Sequence, residues 1–221
     1  MKLAVLFSGG KDSCLALHKI LKEGHEVVYL LNVLPRGDDS FMFHKSFVNL
    51  LERQARELGV ELVVGDSEGK KEDELVDLKN LIGRVRGKID GVVVGGIASS
   101  YQGERVRKIC GGLGLKFIAP LWGFSPEDVW RDLLSGGFEV VMTRISCEGI
   151  GEEWIGRVIS DENFVELKRL AKKYKFRIDF EGGEAETAVL WMPGFGKKIE
   201  IGFDVESEGE YRHLMKEVVV R

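Results

Sequence analysis

Short apolar runs alternate with amphipathic helical segments along much of the chain, and this alternation constrains the fold more than any other feature. The runs predict six strands, over residues 2–7, 25–33, 60–65, 89–96, 115–121 and 138–146. Strands that alternate with helices at this spacing predict an α/β fold, a parallel sheet with helices on both faces. The runs are nearly continuous in Val, Ile and Leu, as expected for strands buried on both sides.

The pattern changes after residue 145. Ser160 and Asp161 predict the start of one more helix, and the remaining residues have the pattern of strands and turns. We therefore predict a larger N-terminal domain, residues 1–125, and a smaller C-terminal α+β domain, residues 126–221.

The composition excludes several classes of protein. Of 221 residues, 32 are basic and 36 acidic, so the formal net charge of −4 argues against bulk electrostatic binding to nucleic acid or membranes. Cys14, Cys110 and Cys147 form no CxxC pair, so neither a zinc site nor a disulfide framework is expected. The first apolar run is too short for a signal peptide or a membrane span. We expect a cytoplasmic protein.

The first strand runs into the sequence SGGKDS. Gly9 and Gly10 let the backbone approach phosphate oxygens, and a helix starting near Asp12 or Ser13 directs its N–H groups at the same point. Lys11 adds a full positive charge. The spacing fits neither a Walker A loop nor GxGxxG. A carboxylate among phosphate ligands is repulsive unless it binds a cation or caps the helix, so Asp12 suggests a bridging Mg²⁺.

SGGKDS behind a first strand resembles the PP-loop of the N-type ATP pyrophosphatases. In that superfamily the loop grips the β- and γ-phosphates of ATP, and the substrate attacks the α-phosphorus. The resemblance implies a Rossmann-like (HUP/PP-loop) sheet, cleavage of the α–β bond, an adenylated intermediate, and AMP and pyrophosphate as products. It makes residues 1–125 an ATP-binding domain and leaves residues 126–221 to bind the substrate.

Three further segments narrow this resemblance, namely SFMFHKS (residues 40–46), GGIASSYQGERV through PLWG (residues 95–123) and EGGEAETAVLWMPGF (residues 181–195). Together they resemble the diphthine–ammonia ligase family over nearly the whole chain. The resemblance implies an AMP-forming ligase that adenylates the carboxylate of diphthine on translation elongation factor two and amidates it with ammonia. Phe180 and Ala185 depart from the family pattern, which usually has glycine and tyrosine there.

The sequence EGGEAET places three carboxylates around two glycines. Such carboxylates repel each other unless they are solvated, bind a cation or face a positive ligand. The trimethylammonium group of diphthine, Mg²⁺ or ammonium are ligands of that kind, and an exposed acidic hairpin turn is the alternative. Trp122 and Trp191 can each offer a cation–π face, although a core or interface role is the favoured interpretation of either tryptophan.

The candidate site residues follow from these motifs and from the strand ends. The nucleotide-binding candidates are Ser8, Gly9, Gly10, Lys11, Asp12, Ser13, Asn32, His44, Gly95 and Gly96. The substrate-binding candidates are Ser100, Tyr101, Gln102, Arg105, Glu181, Gly182, Gly183, Glu184 and Thr187. The catalytic candidates are Lys11, Asp12, Arg105, Glu184 and Glu186. Asp12 is the candidate metal ligand, and ATP and Mg²⁺ are the expected cofactors.

Three other functions fit the same loop. They are an enzyme that adenylates or amidates another metabolite acid, a tRNA sulfur-transfer enzyme that uses Cys110 and Cys147, and a nonenzymatic ATP-binding sensor. Asp12 and the EGGEAET segment favour catalysis, because a sensor needs neither. The expected partners are the diphthine-bearing elongation factor and ammonium, with no membrane and no direct nucleic-acid binding, and homo-oligomerisation stays open.

Overall fold

The structure, a computed structural model, describes residues 1–35, 47–67, 73–96 and 100–221. The helices are α1 (Lys11–Lys22), α2 (Val48–Leu58), α3 (Asp73–Val85), α4 (Ser100–Gly112), α5 (Pro126–Ser135) and α6 (Asp161–Tyr174). The strands are β1 (Lys2–Leu6), β2 (Glu26–Pro35), β3 (Glu61–Ser67), β4 (Gly91–Val93), β5 (Lys116–Ile118), β6 (Glu139–Ser146), β7 (Ala185–Trp191), β8 (Ile201–Ser207) and β9 (Arg212–Val220). Within these ranges no helix has the length and apolar character that crossing a bilayer requires.

The chain divides into two compact units. The first consists of Met1–Ser8 and Asp12–Gly123, and the second of Gly9–Lys11 and Phe124–Arg221. The loop residues Gly9–Lys11 thus group with the second unit by their contacts, although they follow the first strand in the sequence.

The first unit contains a five-stranded parallel sheet in the order β3-β2-β1-β4-β5. In the centre, Val5 of β1 lies opposite Leu30 of β2 on one side and Val93 of β4 on the other. This order confirms the predicted Rossmann-like α/β fold. Strand order reverses between β1 and β4, and ligands bind such sheets outside the carboxyl ends of the strands at that switch point.

Both faces of the central strand are buried. Ala4 belongs to a hydrophobic cluster with Leu78 of α3 and Val106 of α4. Leu3 and Val5 point to the opposite face of the sheet by strand alternation and are equally inaccessible to solvent. The near-continuous apolar composition of the strand is therefore explained by helices that cover the sheet on two sides.

The second unit contains an antiparallel sheet of four strands in the order β7-β6-β9-β8. This confirms the predicted α+β character of the C-terminal part. The prediction that residues 138–146 continue the parallel sheet as its sixth strand is wrong, because β6 pairs antiparallel with β7 and β9. An apolar run fits a buried strand in either kind of sheet, and the partners that decide between them lie far along the chain.

Trp130 of α5 lies at the centre of an aromatic cluster in the second unit. Its ring centroid is 5.2 Å from that of Phe164 and 6.0 Å from that of Phe180. The indole Nε1–H donates a hydrogen bond to the carbonyl of Ile178 at 2.6 Å. The buried indole therefore has a partner for its polar atom, and the backbone just before Phe180 is fixed against α5.

A capping box starts α5. The Ser125 hydroxyl accepts a hydrogen bond from the Asp128 N–H at 3.1 Å, and the Asp128 carboxylate accepts one from the Ser125 N–H at 3.1 Å. Pro126 occupies the first turn of α5, where its missing N–H costs nothing. Hydrogen bonds from the Ser125 side chain and backbone, followed by one from Arg131, lower the pKa of Asp128.

Removing the cap should weaken the second unit. We expect Ser125→Ala to lower the free energy of unfolding by about 1 kcal/mol in urea denaturation, because the first-turn N–H loses its acceptor. Ser135→Ala, at the exposed end of the same helix, is the matched control and should change that free energy by less than about 0.5 kcal/mol. Equal losses in the two variants would contradict a stabilising role of the cap.

Candidate functional site

The glycine loop connects β1 to α1. Gly9 has a φ of 75°, in the left-handed region that a residue without Cβ adopts at little cost. The helix starts at Lys11, slightly earlier than the predicted Asp12 or Ser13. The hydroxyls of Ser8 and Ser13 lie 3.2 Å apart and share a hydrogen bond across the loop. The loop therefore ends at a helix N-terminus, where backbone N–H groups favour an anion.

Two hydrogen bonds link the loop backbone to β7. The Val189 N–H donates to the carbonyl of Gly9 at 3.0 Å, and the Lys11 N–H donates to Thr187 Oγ1 at 3.1 Å. Thr187 is a predicted substrate-binding residue of the EGGEAET segment. The structure thus brings two segments of the predicted site together, although they lie far apart in the sequence.

The side chain of Lys11 is buried, with 2% of its surface exposed. Its Nζ lies 5.7 Å from the centroid of the Phe180 ring, within the range of a cation–π interaction. The preceding residue, Asp179, is 1% exposed. The Nε of Arg177 donates to Asp179 Oδ1 at 2.9 Å, and its Nη2 donates to Oδ2. Lys11, which the sequence assigned to phosphate binding, therefore already has protein groups around it.

Asp179 is held as a carboxylate despite its burial. Burial raises its pKa, but hydrogen bonds from the Arg177 side chain and the Glu181 N–H outweigh that effect, together with the charges of Arg177 and Lys11. The net result is a pKa below the ordinary value. The same pairing raises the pKa of Arg177. Both members of the pair are therefore charged at neutral pH.

Gly95, at the end of β4, packs against the first turn of α1. A Cβ at this position would lie 2.8 Å from the carbonyl carbon of Asp12 and 2.8 Å from the backbone nitrogen of Ser13. Only glycine lets β4 approach the helix N-terminus this closely. A Cβ on the neighbouring Gly96 would meet nothing within 4 Å. The two predicted nucleotide-binding glycines therefore have different structural roles.

Asp12 is the only carboxylate in the sequence of the loop. Among the described residues, no group of three or more His, Cys, Asp or Glu side chains is arranged to hold a metal ion by itself. A single carboxylate fits the way Mg²⁺ is usually bound beside a nucleotide, through one or two carboxylates, phosphate oxygens and water. The donor set is therefore consistent with Mg²⁺ that arrives with phosphates.

The carboxylates of the EGGEAET segment have internal partners. Glu184 Oε1 accepts a hydrogen bond from the Arg177 N–H at 3.1 Å, and Glu186 Oε1 lies 3.2 Å from Arg144 Nη1 in an ion pair. Glu184 Oε2 is buried and has no hydrogen-bond partner among the residues that the structure describes. This oxygen is an acceptor that a ligand N–H group can use.

The other predicted residues take varied positions. Asn32 Nδ2 donates to the carbonyl of Phe7 at 2.7 Å, whereas its buried Oδ1 has no hydrogen-bond partner within the described ranges. Arg105 is partly buried near the start of α4. Gly183 has a φ of 85° in the turn before β7. Ser100, Tyr101 and Gln102 begin the backbone of α4, Glu181 and Gly182 precede Gly183, and His44 lies outside the described residues.

Sequence reasoning missed Arg144, Arg177, Asp179 and the role of Phe180. The available signal was a single acidic residue between apolar ones in the sequence IDF, which is unusual unless the carboxylate is paired.

The cysteines give no sign of thiolate chemistry. Burial raises the pKa of Cys14, and it raises that of Cys110 to about 11. Burial and then the charge of Glu184 raise the pKa of Cys147 to about 11.

The fold and the loop together define a class of protein. A parallel sheet whose central strand leads, at the switch point, into a glycine loop and a helix N-terminus is typical of nucleotide-binding α/β proteins. The buried Oδ1 of Asn32, which has no hydrogen-bond partner in the described part of the chain, fits a nucleotide at this edge of the sheet.

Comparisons with known proteins identify the family. The Diphthamide synthase N-terminal domain matches residues 1–117, and the Diphthamide synthase C-terminal domain matches residues 125–218. The chain is 32% identical to a diphthine–ammonia ligase of Rattus norvegicus over 222 residues, 91% of this chain and 83% of that protein. It is 31% identical to the Homo sapiens protein of that name, over 90% of this chain and 82% of the relative.

The chain belongs to the diphthamide synthase family. The resemblance noted in the sequence is thereby confirmed, and the curated relatives that match are named as ligases. Among solved structures, a predicted subunit of tRNA methyltransferase from Methanocaldococcus jannaschii aligns with a TM-score of 0.47 and 19% identity, over 87% of this chain and 98% of that one.

The difference between the two glycines after β4 can be tested by substitution. We expect Gly95→Ala to lower the free energy of unfolding by about 1–3 kcal/mol, because its Cβ collides with backbone atoms that cannot rotate away. Gly96→Ala should change it by less than about 0.5 kcal/mol. Thermal and urea unfolding of the two variants give the comparison. An unchanged free energy of unfolding in Gly95→Ala would show that β4 and α1 can separate without cost.

Asp179 should make stability depend on pH in the acidic range. Its pKa is lowered in the folded state, so it stabilises the fold above its ordinary pKa of about 3.9, and this contribution is lost as the pH falls through the folded-state value. We expect Asp179→Asn to cost about 1.5–3 kcal/mol at pH 7, and the gap to wild type to shrink toward pH 3. Asp204→Asn, on exposed β8, should follow wild type throughout. A gap that does not change with pH would contradict this assignment.

Proposed function

We propose that this chain converts the carboxylate of diphthine on translation elongation factor two into the amide, using ATP and ammonia and releasing AMP and pyrophosphate. The observation that supports this most directly is the hydrogen bond from the Lys11 N–H to Thr187 Oγ1 at 3.1 Å. It joins the glycine loop to the acidic segment. The adenylation step needs the loop, and the amidation step needs the acidic segment. Relatives named diphthine–ammonia ligase support the choice of substrate.

In the first step, a carboxylate oxygen of diphthine forms a bond to the α-phosphorus of ATP. The bond between the α-phosphorus and the bridging oxygen breaks, and pyrophosphate leaves with the electron pair. The N-terminus of α1 and the Lys11 ammonium stabilise the charge that develops on this leaving group. Asp12 would hold Mg²⁺, which neutralises phosphate charge when bound.

In the second step, ammonia attacks the acyl carbon, the bond from that carbon to the adenylate oxygen breaks, and AMP leaves with the electron pair. The attacking nitrogen loses one proton on becoming an amide. Glu184 Oε2, buried and without a hydrogen-bond partner in the described part of the chain, is the acceptor that we assign to orient the nitrogen and take that proton. The ion pair with Arg144 neutralises the charge of the neighbouring Glu186 carboxylate.

The remaining candidates divide between the two ligands. We assign Ser8, Gly9, Gly10, Ser13, Asn32, His44, Gly95 and Gly96 to the nucleotide, and Ser100, Tyr101, Gln102, Arg105, Glu181, Gly182, Gly183 and Thr187 to the diphthine-bearing substrate. Residues 1–125 are then the ATP-binding domain and residues 126–221 the substrate-binding domain. A translation factor as substrate supports a cytoplasmic location.

The two steps can be separated experimentally. Wild-type protein is incubated with α-labelled ATP, Mg²⁺, ammonium and diphthine-bearing elongation factor two, and the labelled product and the mass of the factor are determined. We expect AMP only when both factor and ammonium are present, and a factor lighter by the difference between a hydroxyl and an amino group. ADP, or tight ATP binding without turnover, would overturn the proposal in favour of another ATPase or a sensor. AMP that forms with other acids but not with the elongation factor would show that diphthine is not the substrate.

Variants assign the residues to the steps. Asp12→Asn should lower both amide formation and ATP–pyrophosphate exchange by about 100-fold, since both need the first step. Glu184→Gln should lower amide formation by about 100-fold and leave the exchange within about twofold, since only the second step needs the base. Glu208→Gln, exposed between β8 and β9, is the control and should match wild type. Equal loss of exchange in Glu184→Gln would contradict its role in the second step.

A further inference from the structure

The segment Arg177–Phe180 ends at the side chain of Lys11, and the sequence assigned no role in the site to any of its residues. The Lys11 Nζ lies 5.7 Å from the Phe180 ring centroid, and Lys11 is nearly inaccessible to solvent. The charge of Lys11 also stabilises the carboxylate of Asp179, and that attraction is mutual. An aromatic face and a buried carboxylate therefore act on the same ammonium group.

Phe180 adopts a backbone conformation that is unfavourable for it. Its φ of 62° lies in the left-handed region, where a residue with a Cβ is strained. Such strain persists only where the surroundings enforce it. Phe180 is buried, meets Trp130 edge-on at 6.0 Å, and follows a backbone segment that the Trp130 indole anchors through the Ile178 carbonyl.

The same segment also reaches the acidic segment. The side chain of Arg177 forks onto Asp179, and its backbone N–H donates to Glu184 Oε1 at 3.1 Å. One short, anchored stretch of chain thus contacts Lys11, which the proposed function places in the first step, and Glu184, which it places in the second.

We propose that Phe180 is a positioning residue that holds the Lys11 ammonium in place for adenylation, an inference that rests on the proposed function. A lysine side chain loses much rotamer freedom when it is ordered, and protein groups that order it in advance remove this cost from the reaction. Charge on pyrophosphate grows as it leaves. A fixed ammonium therefore stabilises the transition state more than bound ATP, so its loss lowers kcat more than it raises KM.

The kinetic test uses Phe180→Leu, which keeps an apolar, buried side chain and the strained backbone but removes the aromatic face. We expect kcat for AMP formation to fall about fivefold while KM for ATP stays within about twofold. Phe180→Tyr, which retains an aromatic face, should keep kcat at the wild-type value. Phe164→Leu is the matched control, because Phe164 also packs against Trp130, at 5.2 Å, and lies outside the group around Lys11. It should keep wild-type kcat.

A second test needs no catalysis. Full-length protein without nucleotide is treated briefly with an amine-acylating ester, and acylation of Lys11 is measured by mass spectrometry of its peptide. We expect Phe180→Leu to increase acylation of Lys11 about fivefold over wild type, while Phe164→Leu and Phe180→Tyr leave it within about twofold.

The outcomes separate this inference from the proposed function. Wild-type kcat and wild-type acylation in Phe180→Leu would overturn it, and so would equal effects in Phe180→Leu and Phe164→Leu, which indicate packing alone. If wild type forms no AMP, the proposed function fails, and acylation of Lys11 then decides whether Phe180 holds its ammonium.

Discussion

Hydrogen bonds from β7 fix the backbone of the glycine loop, and the geometry of the candidate site depends on them. The Gly9 carbonyl accepts from the Val189 N–H, and the Thr187 hydroxyl accepts from the Lys11 N–H. Leaving a buried polar group without a partner costs about 1–3 kcal/mol, more than a typical hydrogen bond contributes. A loop that moved away from β7 would leave such groups unsatisfied. These hydrogen bonds therefore hold the loop in one conformation. A loop fixed in this way can bind an anion with little reorganisation.

Charge compensation explains why an acidic segment can lie beside this loop. Arg144 pairs with Glu186, Arg177 pairs with Asp179, and Glu184 accepts a backbone N–H. The sequence suggested carboxylates whose repulsion only solvent or an incoming cation relieves. In the structure the ion pair with Arg144 offsets the charge of Glu186, whose side chain is 22% exposed, whereas Glu181, Gly182 and Gly183 lie exposed in the turn before β7. Glu184 Oε2, which is buried and has no hydrogen-bond partner among the described residues, is an acceptor that a ligand can use.

The parts of the fold that sequence could predict are those encoded locally. Strand–helix alternation specifies each element, and paired glycines after the first strand specify a tight turn into a helix, so the parallel sheet and the glycine loop are both predictable. Strand partners are not encoded locally, which is why β6 was assigned to the wrong sheet. The pairing of Arg144 with Glu186 spans 42 residues and has no local signal either. Periodicity indicates which side of an element is buried, and gives no information on which distant group it meets.

Phe180 shows how a departure from a family pattern gains physical meaning. A glycine is the expected residue where φ is 62°, so a phenylalanine there carries strain that the surroundings must offset. Burial against Trp130 and the ammonium of Lys11 supply that compensation. The departure at Ala185 has the opposite sense, since a ring is lost at a position that is buried and paired with Ile145. One aromatic ring is thus gained and one lost within six residues of the same turn. Residues 180–185 thus contain a single aromatic ring, and in this chain that ring lies beside Lys11 of the glycine loop.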